Sequence, residues 1–223
     1  IKEFLEKINN VLNDNFLKYE IICVNDCSTD DTVNEIKKLA NTNNSKITIV
    51  NMSFYQGKEL AMNAGIDIAI GDFVYEFDTT VIDYDINTVI ETYKKSLEGY
   101  DIVNATPNKK RYKTSSLFYR VFNKFSNNQY KIDTENFRIL SRRAINRIHS
   151  MNKTIPYRKA IYANCGLKMS TIYYDAKSCK KTKLDKKQRQ ERGKNAIDSL
   201  ILFTDVSYKF SIVMSIIMML VTV

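Results

Sequence analysis

The 223-residue chain has no tryptophan, one histidine, two prolines and six glycines. So little glycine and proline excludes a collagen-like, low-complexity or loop-dominated chain. The lone His149 and the cysteines Cys23, Cys27, Cys165 and Cys179, with no CxxC pair, exclude a zinc site of the usual spacing. The cysteines read as reduced, partly buried thiols of a cytosolic protein. On that reading the Asn-x-Ser/Thr triplets at Asn43, Asn51 and Asn152 carry no meaning as glycosylation signals. No signal peptide is visible. The first residue is Ile1 rather than Met, and the expectation is a chain cut at both ends.

Apolar residues make up 44% of the chain, enough for the core of one sizeable domain with an appendage. The net charge of +9 is local. Lys177 to Lys194 holds nine Lys/Arg against Asp185 and Glu191, and the remainder is close to neutral. That run lacks the aromatic interleaving of a nucleic-acid surface, and an apolar segment follows it. An anionic membrane surface is therefore the expected partner, and nucleic acid is not. The apolar run "FSIVMSIIMMLVTV", Phe210 to Val223, carries no charge. It reads as the start of a transmembrane helix with the basic run on its cytoplasmic flank. A buried core helix is the alternative.

Apolar periodicity predicts a helix over 1–16, then strand 19–24, helix 32–40, strand 46–52, helix 58–70 and strand 71–77. Helix at about 85–97, strand 100–105, helices near 115–127 and 155–165, and strand 168–176 follow. Residues 194–210 read as an amphipathic helix on a membrane surface. Strands alternating with helices over short links predict an α/β fold with a mostly parallel, Rossmann-like sheet and flanking helices. In such a sheet ligands sit beyond the carboxyl ends of the strands. Asp26 follows the strand that ends at Val24, and Asp78 follows the strand that ends at Phe77. Both acids are expected in one crevice.

Three blocks sharpen this. "VNDCSTDDT" (24–32) resembles the V-D-D-x-S-x-D-x-T segment of family 2 glycosyltransferases, which have the GT-A fold. "NMSFYQGKELAMNAGIDIAIGDFVYEFD" (51–78) is similar to the N-x-G-K-x-x-A-x-N-x-G block of that family and the apolar strand and acid that follow it. "ENFRILSRRAI" (135–145) resembles the G-D-F-R-L segment of the polyprenyl-phosphate glycosyltransferase branch. The resemblance implies a nucleotide-sugar donor, and a polyprenyl phosphate or cell-surface glycan as acceptor. It also implies a carboxy-terminal membrane anchor and a place at the cytoplasmic face of a membrane of bacterial inner-membrane type. It places Asn25, Asp26, Ser28, Lys58 and Asp78 at the donor, with Asp26 reading the base and Asp78 as the catalytic acid of the D-x-D motif. Arg111, Arg120, Arg138, Arg142 and Arg143 are implied to hold donor or acceptor phosphates.

The departures are specific. The first strand of the family pattern, V-x-P-x-Y-N-E, is not in this sequence. Thr80 stands at the second acid of D-x-D, Ile82 where the branch often has glutamine, and Asn136 at the acid of G-D-F-R. A divalent Mg or Mn ion wants carboxylate oxygens, so the implied metal site is weakened. Asp78 remains, with Asp83 or Asp85 to complete it or to cap the next helix. The expected divisions are a glycosyltransferase domain over 1–176, a basic juxtamembrane segment over 177–194, and amphipathic and membrane helices over 195–223. The second reading is a binding module of the same fold with an eroded donor site, acting in a glycan-assembly complex. The third is a basic membrane-surface protein without sugar chemistry.

Overall fold

The computed structural model describes residues 1–42, 47–108, 113–126, 128–151, 157–177 and 186–222. Helix α1 (Lys2–Asn15) buries Phe4, Leu5, Ile8 and Leu12, one face at helical spacing. Strand β1 (Ile21–Asn25) pairs in parallel with β2 (Ile47–Asn51), and α2 (Thr32–Thr42) makes the crossover. Helix α3 (Lys58–Ile68) lies so close on β1 that a Cβ at Gly65 would stand 2.9 Å from Val24 Cγ2. A second sheet has the order β3 (Phe73–Phe77), β5 (Phe137–Ser141), β4 (Ile102–Pro107) and β6 (Met169–Tyr174). Strand β4 is buried along its whole length, as suits an inner strand.

The sheet is mixed rather than mostly parallel. Strand β4 runs parallel to β6, whereas β5 runs antiparallel to both β3 and β4. "FRILS" is almost wholly buried, so its side chains do not alternate between core and water and carry no sign of direction.

Helix α4 (Asn87–Leu97) precedes β4, and α5 (Lys113–Phe125) follows it. Helices α6 (Arg142–Met151) and α7 (Arg158–Asn164) bridge β5 and β6. One apolar cluster joins α1, α2 and β1 to Tyr84, Phe137 and Tyr174. A second packs α6 and α7 against Ile102 and Leu140.

The expected helix over 194–210 is two helices. Helix α8 (Lys186–Phe203) takes in part of the basic run, and α9 (Val206–Thr222) leaves it at 79°. Thr204 and Asp205 make the corner. The Thr204 hydroxyl accepts the Val206 N–H, and the Asp205 N–H reaches the Phe125 carbonyl. Leu200 and Phe203 of α8 pack on core clusters. On α9 no side chain is buried, and every large apolar side chain from Tyr208 to Val221 is at least 41% exposed. Among the described residues no single helix is long and apolar enough to cross a membrane; the bent α8–α9 pair passes that test together.

Candidate active site

Asp78 leaves the carboxyl end of β3, held by its backbone N–H on the Asn136 carbonyl at 2.9 Å. Four cations surround its carboxylate: Arg138 at 3.1 Å, Arg158 at 3.2 Å, Lys58 at 3.5 Å and Lys159 at 3.9 Å. Arg138 also binds Glu76 at 2.6 Å and Glu135 at 3.2 Å. Arg158 meets Glu59 and Glu76, each at 3.0 Å, and Lys159 meets Glu135 at 2.5 Å. Tyr162 donates its hydroxyl to Glu76. Four cations thus face the four acids Glu59, Glu76, Asp78 and Glu135. Burial alone would raise the Asp78 carboxyl, but Lys58, Arg138, Arg158 and Lys159 outweigh it and hold it well below the usual carboxylate range. Of the four cations, only the Lys58 side chain, 45% exposed, has ready access to solvent.

Asp26 lies at the end of β1, one step away through the loop. Its two carboxylate oxygens accept the backbone N–H groups of Gln56 and Gly57, both at 2.8 Å. The next residue is Lys58, so the carboxylate of Asp26 fixes the loop that carries the amine to Asp78. Asn25 accepts the Ser28 N–H at 3.0 Å and donates to Asn51 at 3.1 Å, which shapes the turn after β1. Gly57 has φ +92, and a Cβ there would strike the carboxylate of Glu191 from α8. That carboxylate also accepts the Tyr55 hydroxyl and the Lys58 N–H.

The five arginines separate. Arg138 joins the Asp78 cluster. Arg120 is exposed on α5, and Arg111 lies outside the described residues. Arg142 and Arg143 lie apart from the Asp78 cluster. The antiparallel register sets Phe137 beside Phe77 but Ser141 beside Phe73, so both follow β5 at the opposite end from Asp78. Arg142 donates to the Ala69 and Gly71 carbonyls, and Arg143 pairs with Asp101. They brace the entry of β3 and β4.

The acids expected to complete a metal site do not converge either. Asp83 is fully buried and accepts the Asn136 amide at 2.7 Å and the Tyr174 hydroxyl at 3.1 Å. Asp85 is 60% exposed, faces Lys177 at 3.7 Å and accepts the Asn87 N–H at 3.0 Å where α4 begins. Thr80 is exposed. Among the described residues no three His, Cys, Asp or Glu come together as a metal cage. With Asp78 ringed by cations, this donor set does not fit a divalent ion built into the protein.

The sequence reading missed Glu59, Glu76, Glu135, Arg158, Lys159 and Tyr162. A signal was present: Glu76 interrupts the apolar strand "FVYEF", and Arg158–Lys159 interrupt "YRKAIYA". A charge in a buried run requires a partner.

The model of the family described as Glycosyl transferase family 2 matches residues 1–162. An uncharacterized glycosyltransferase of Synechocystis is 31% identical over 181 residues, which are 78% of this chain and 56% of that protein. A prophage bactoprenol glucosyl transferase homolog of Escherichia coli is 32% identical over 163 residues, 70% of this chain and 52% of its own. The chain therefore spans about half the length of these curated relatives. Among solved structures, a mannosyltransferase of Pyrobaculum calidifontis in complex with GDP-Man and Mn2+ superposes with a TM-score of 0.62 at 16% identity, covering 87% of this chain and 58% of that one. Glucosyl-3-phosphoglycerate synthase of Mycobacterium tuberculosis in complex with UDP gives 0.56 at 15% identity, covering 89% and 74%. These likenesses establish the GT-A fold.

Proposed function

Since the chain belongs to glycosyl transferase family 2, we propose that it transfers a sugar from a nucleotide-sugar to a polyprenyl phosphate at a membrane surface. The observation that carries the reading is the cationic ring around Asp78 at a strand's carboxyl end, next to the loop that Asp26 fixes. The acceptor follows from the relatives named bactoprenol glucosyl transferase. In this reading Asn25, Asp26 and Ser28 form the edge against which the base lies, and Lys58 turns from Asp78 to the diphosphate.

The chemistry asks little of a base. A phosphate oxygen of the acceptor attacks the anomeric carbon of the sugar. The bond from that carbon to the donor diphosphate breaks, and the nucleoside diphosphate leaves with the bonding pair. An ionised phosphate has no proton to lose, so no general base is needed. The growing charge on the leaving diphosphate must be met. Lys58, with Arg158 and Lys159 behind it, supplies that charge in this reading, and a divalent ion contributes less than in relatives with two acids at D-x-D. Titrating UDP and GDP into the protein with manganese and then with chelator tests this. Chelation is expected to change affinity by less than about threefold. A loss beyond about tenfold, some 1.4 kcal/mol, overturns the weak-metal assignment. Thr80→Asp is expected to increase the metal dependence.

The membrane side rests on α9, 17 residues and about 26 Å long, apolar and bare, with basic residues upstream. The chain is expected to float with vesicles containing anionic lipid, at low salt. Recovery of all of it in the lipid-free fraction removes the membrane from the reading.

A binding module of the same fold is favoured by one observation, the full charge compensation of Asp78. The two readings separate on turnover. A module would bind nucleotide-sugar and never consume it in the presence of polyprenyl phosphate.

A further inference from the structure

Helix α8 reaches back onto the loop before α3 through one acid. The Glu191 carboxylate accepts the Lys58 N–H at 3.1 Å and the hydroxyl of half-buried Tyr55. The space beside Gly57 that a side chain would take holds this carboxylate instead. Its seat is the first turn of α3, where backbone N–H groups lack helical partners and the helix end attracts negative charge. Asp26 takes the Gln56 and Gly57 N–H groups, which leaves the Lys58 N–H to an anion from elsewhere.

Glu191 stands on the inward face of α8. Asn195, Ser199 and Phe203 follow it at intervals of four, Ser199 is 1% exposed, and Leu200 and Phe203 pack on core clusters. The hold is uneven along the helix. From Arg189 to Lys194 every residue is exposed except Glu191, whereas the turns beyond are held by packing. Gly193 weakens the helix between the two parts, and nothing stands where its Cβ would be.

We propose that Glu191 is an autoinhibitory residue: its carboxylate holds the place beside Gly57 and Lys58 that a diphosphate takes, and the turns of α8 around it lift when a diphosphate displaces it. This rests on the donor reading of the loop and adds its regulation. The two anions exclude each other because they need the same N–H and the same gap at Gly57, and because like charges at that distance repel. Lys58 sharpens the conflict. Its amine lies 3.5 Å from Asp78 and its N–H is on Glu191, so acids of the chain hold both ends of the cation with ready access to solvent. A diphosphate carries more charge than either carboxylate. Apparent affinity falls with the fraction of molecules in which the seat is open, so removing the acid strengthens binding.

The experiment titrates inorganic pyrophosphate, UDP, GDP and uridine into the full chain, unaltered and as Glu191→Ala or Glu191→Gln. Glu191 is partly exposed on a helix surface, so neither change should unfold the protein. Glu191→Ala is expected to bind pyrophosphate more than about threefold more tightly. Glu191→Gln should move the same way, because the amide keeps a hydrogen-bond acceptor and loses the charge. Uridine, which has no diphosphate, should bind the three proteins alike. Amide exchange reads the displacement itself: saturating pyrophosphate should speed exchange over residues 189–193 of the unaltered chain by more than about tenfold. Unchanged or weaker pyrophosphate binding in Glu191→Ala overturns the proposal and makes the carboxylate a support of the loop. Pyrophosphate that binds none of the three proteins overturns it too, as does exchange over 189–193 that bound pyrophosphate leaves unchanged. Uridine affinity that rises together with that of pyrophosphate also overturns it, since the acid would then act on the whole loop. UDP and GDP that bind none of the three, while pyrophosphate behaves as expected, strike the donor reading and support the Glu191 seat.

Discussion

Exchanging Arg138 for methionine is expected to destabilise the fold by about 3–5 kcal/mol, the usual cost of removing one partner from a buried ionic group. The guanidinium is 1% exposed and touches Glu76, Asp78 and Glu135, themselves buried. Methionine fills the volume but leaves three carboxylates to Arg158, Lys58 and Lys159. Against a total stability of about 5–15 kcal/mol for a domain, that loss is large. Urea unfolding measures it, with Lys7→Ala as the contrast. Lys7 pairs with Glu3 on the exposed face of α1, and its removal should cost less than about 1 kcal/mol. Equal midpoints for the two variants would show that Arg138 carries no such burden. The same network sets the acid limit. The Asp78 carboxyl is depressed in the folded state, so its contribution is complete above the unfolded value of about 3.9. It is lost as pH falls through the lower folded value. Stability in urea should hold from about pH 7 to pH 5 and drop below about pH 4.

Asp78→Asn is expected to lower sugar transfer by more than about a hundredfold, the scale of a misplacement by about 1 Å, while the protein still binds inorganic pyrophosphate at least as tightly as before. The physical reason is that Asp78 does not supply positive charge; it positions it. Removing one negative charge leaves four cations facing three acids. An anion is then attracted more strongly, but Lys58, Arg158 and Lys159 lose the common oxygen pair that sets their geometry. Turnover assays and pyrophosphate titration read the two effects separately. Unimpaired transfer takes Asp78 out of the machinery. Loss of pyrophosphate binding together with transfer would mean that the carboxylate acts through a bound cation instead.

Much of the fold was legible because its elements announce themselves locally. Strand ends at Asn25 and Phe77 and the apolar stripe of α1 lie close to where periodicity sets them. The ends of β1 and β3 then bring Lys58 and Asp78 together. Neither strand β5 nor its direction was legible. Arg138, Arg142 and Arg143 are neighbours in sequence and look like one phosphate-binding cluster. An extended strand rises about 3.3 Å per residue, so four residues separate Arg138 and Arg142 by about 13 Å along β5, at its two ends. The partners of Glu76 were hidden for a different reason. Arg138 and Arg158 approach it from a neighbouring strand and a distant helix, and no local pattern encodes a contact between residues more than sixty positions apart.

The pairing of Asn136 with Asp83 constrains how this sequence can drift. Asn136 donates to Asp83 from a position where the resembling family carries an acid. Restoring that acid alone would set two carboxylates against each other in a buried space, with Tyr174 able to donate a single proton between them. Exchanging both residues at once, acid for amide and amide for acid, keeps one donor and one charge. The two positions are therefore coupled: an acid at position 136 fits this space only when position 83 gives up its charge. The asparagine in this chain is matched to Asp83, its hydrogen-bond acceptor across the fold.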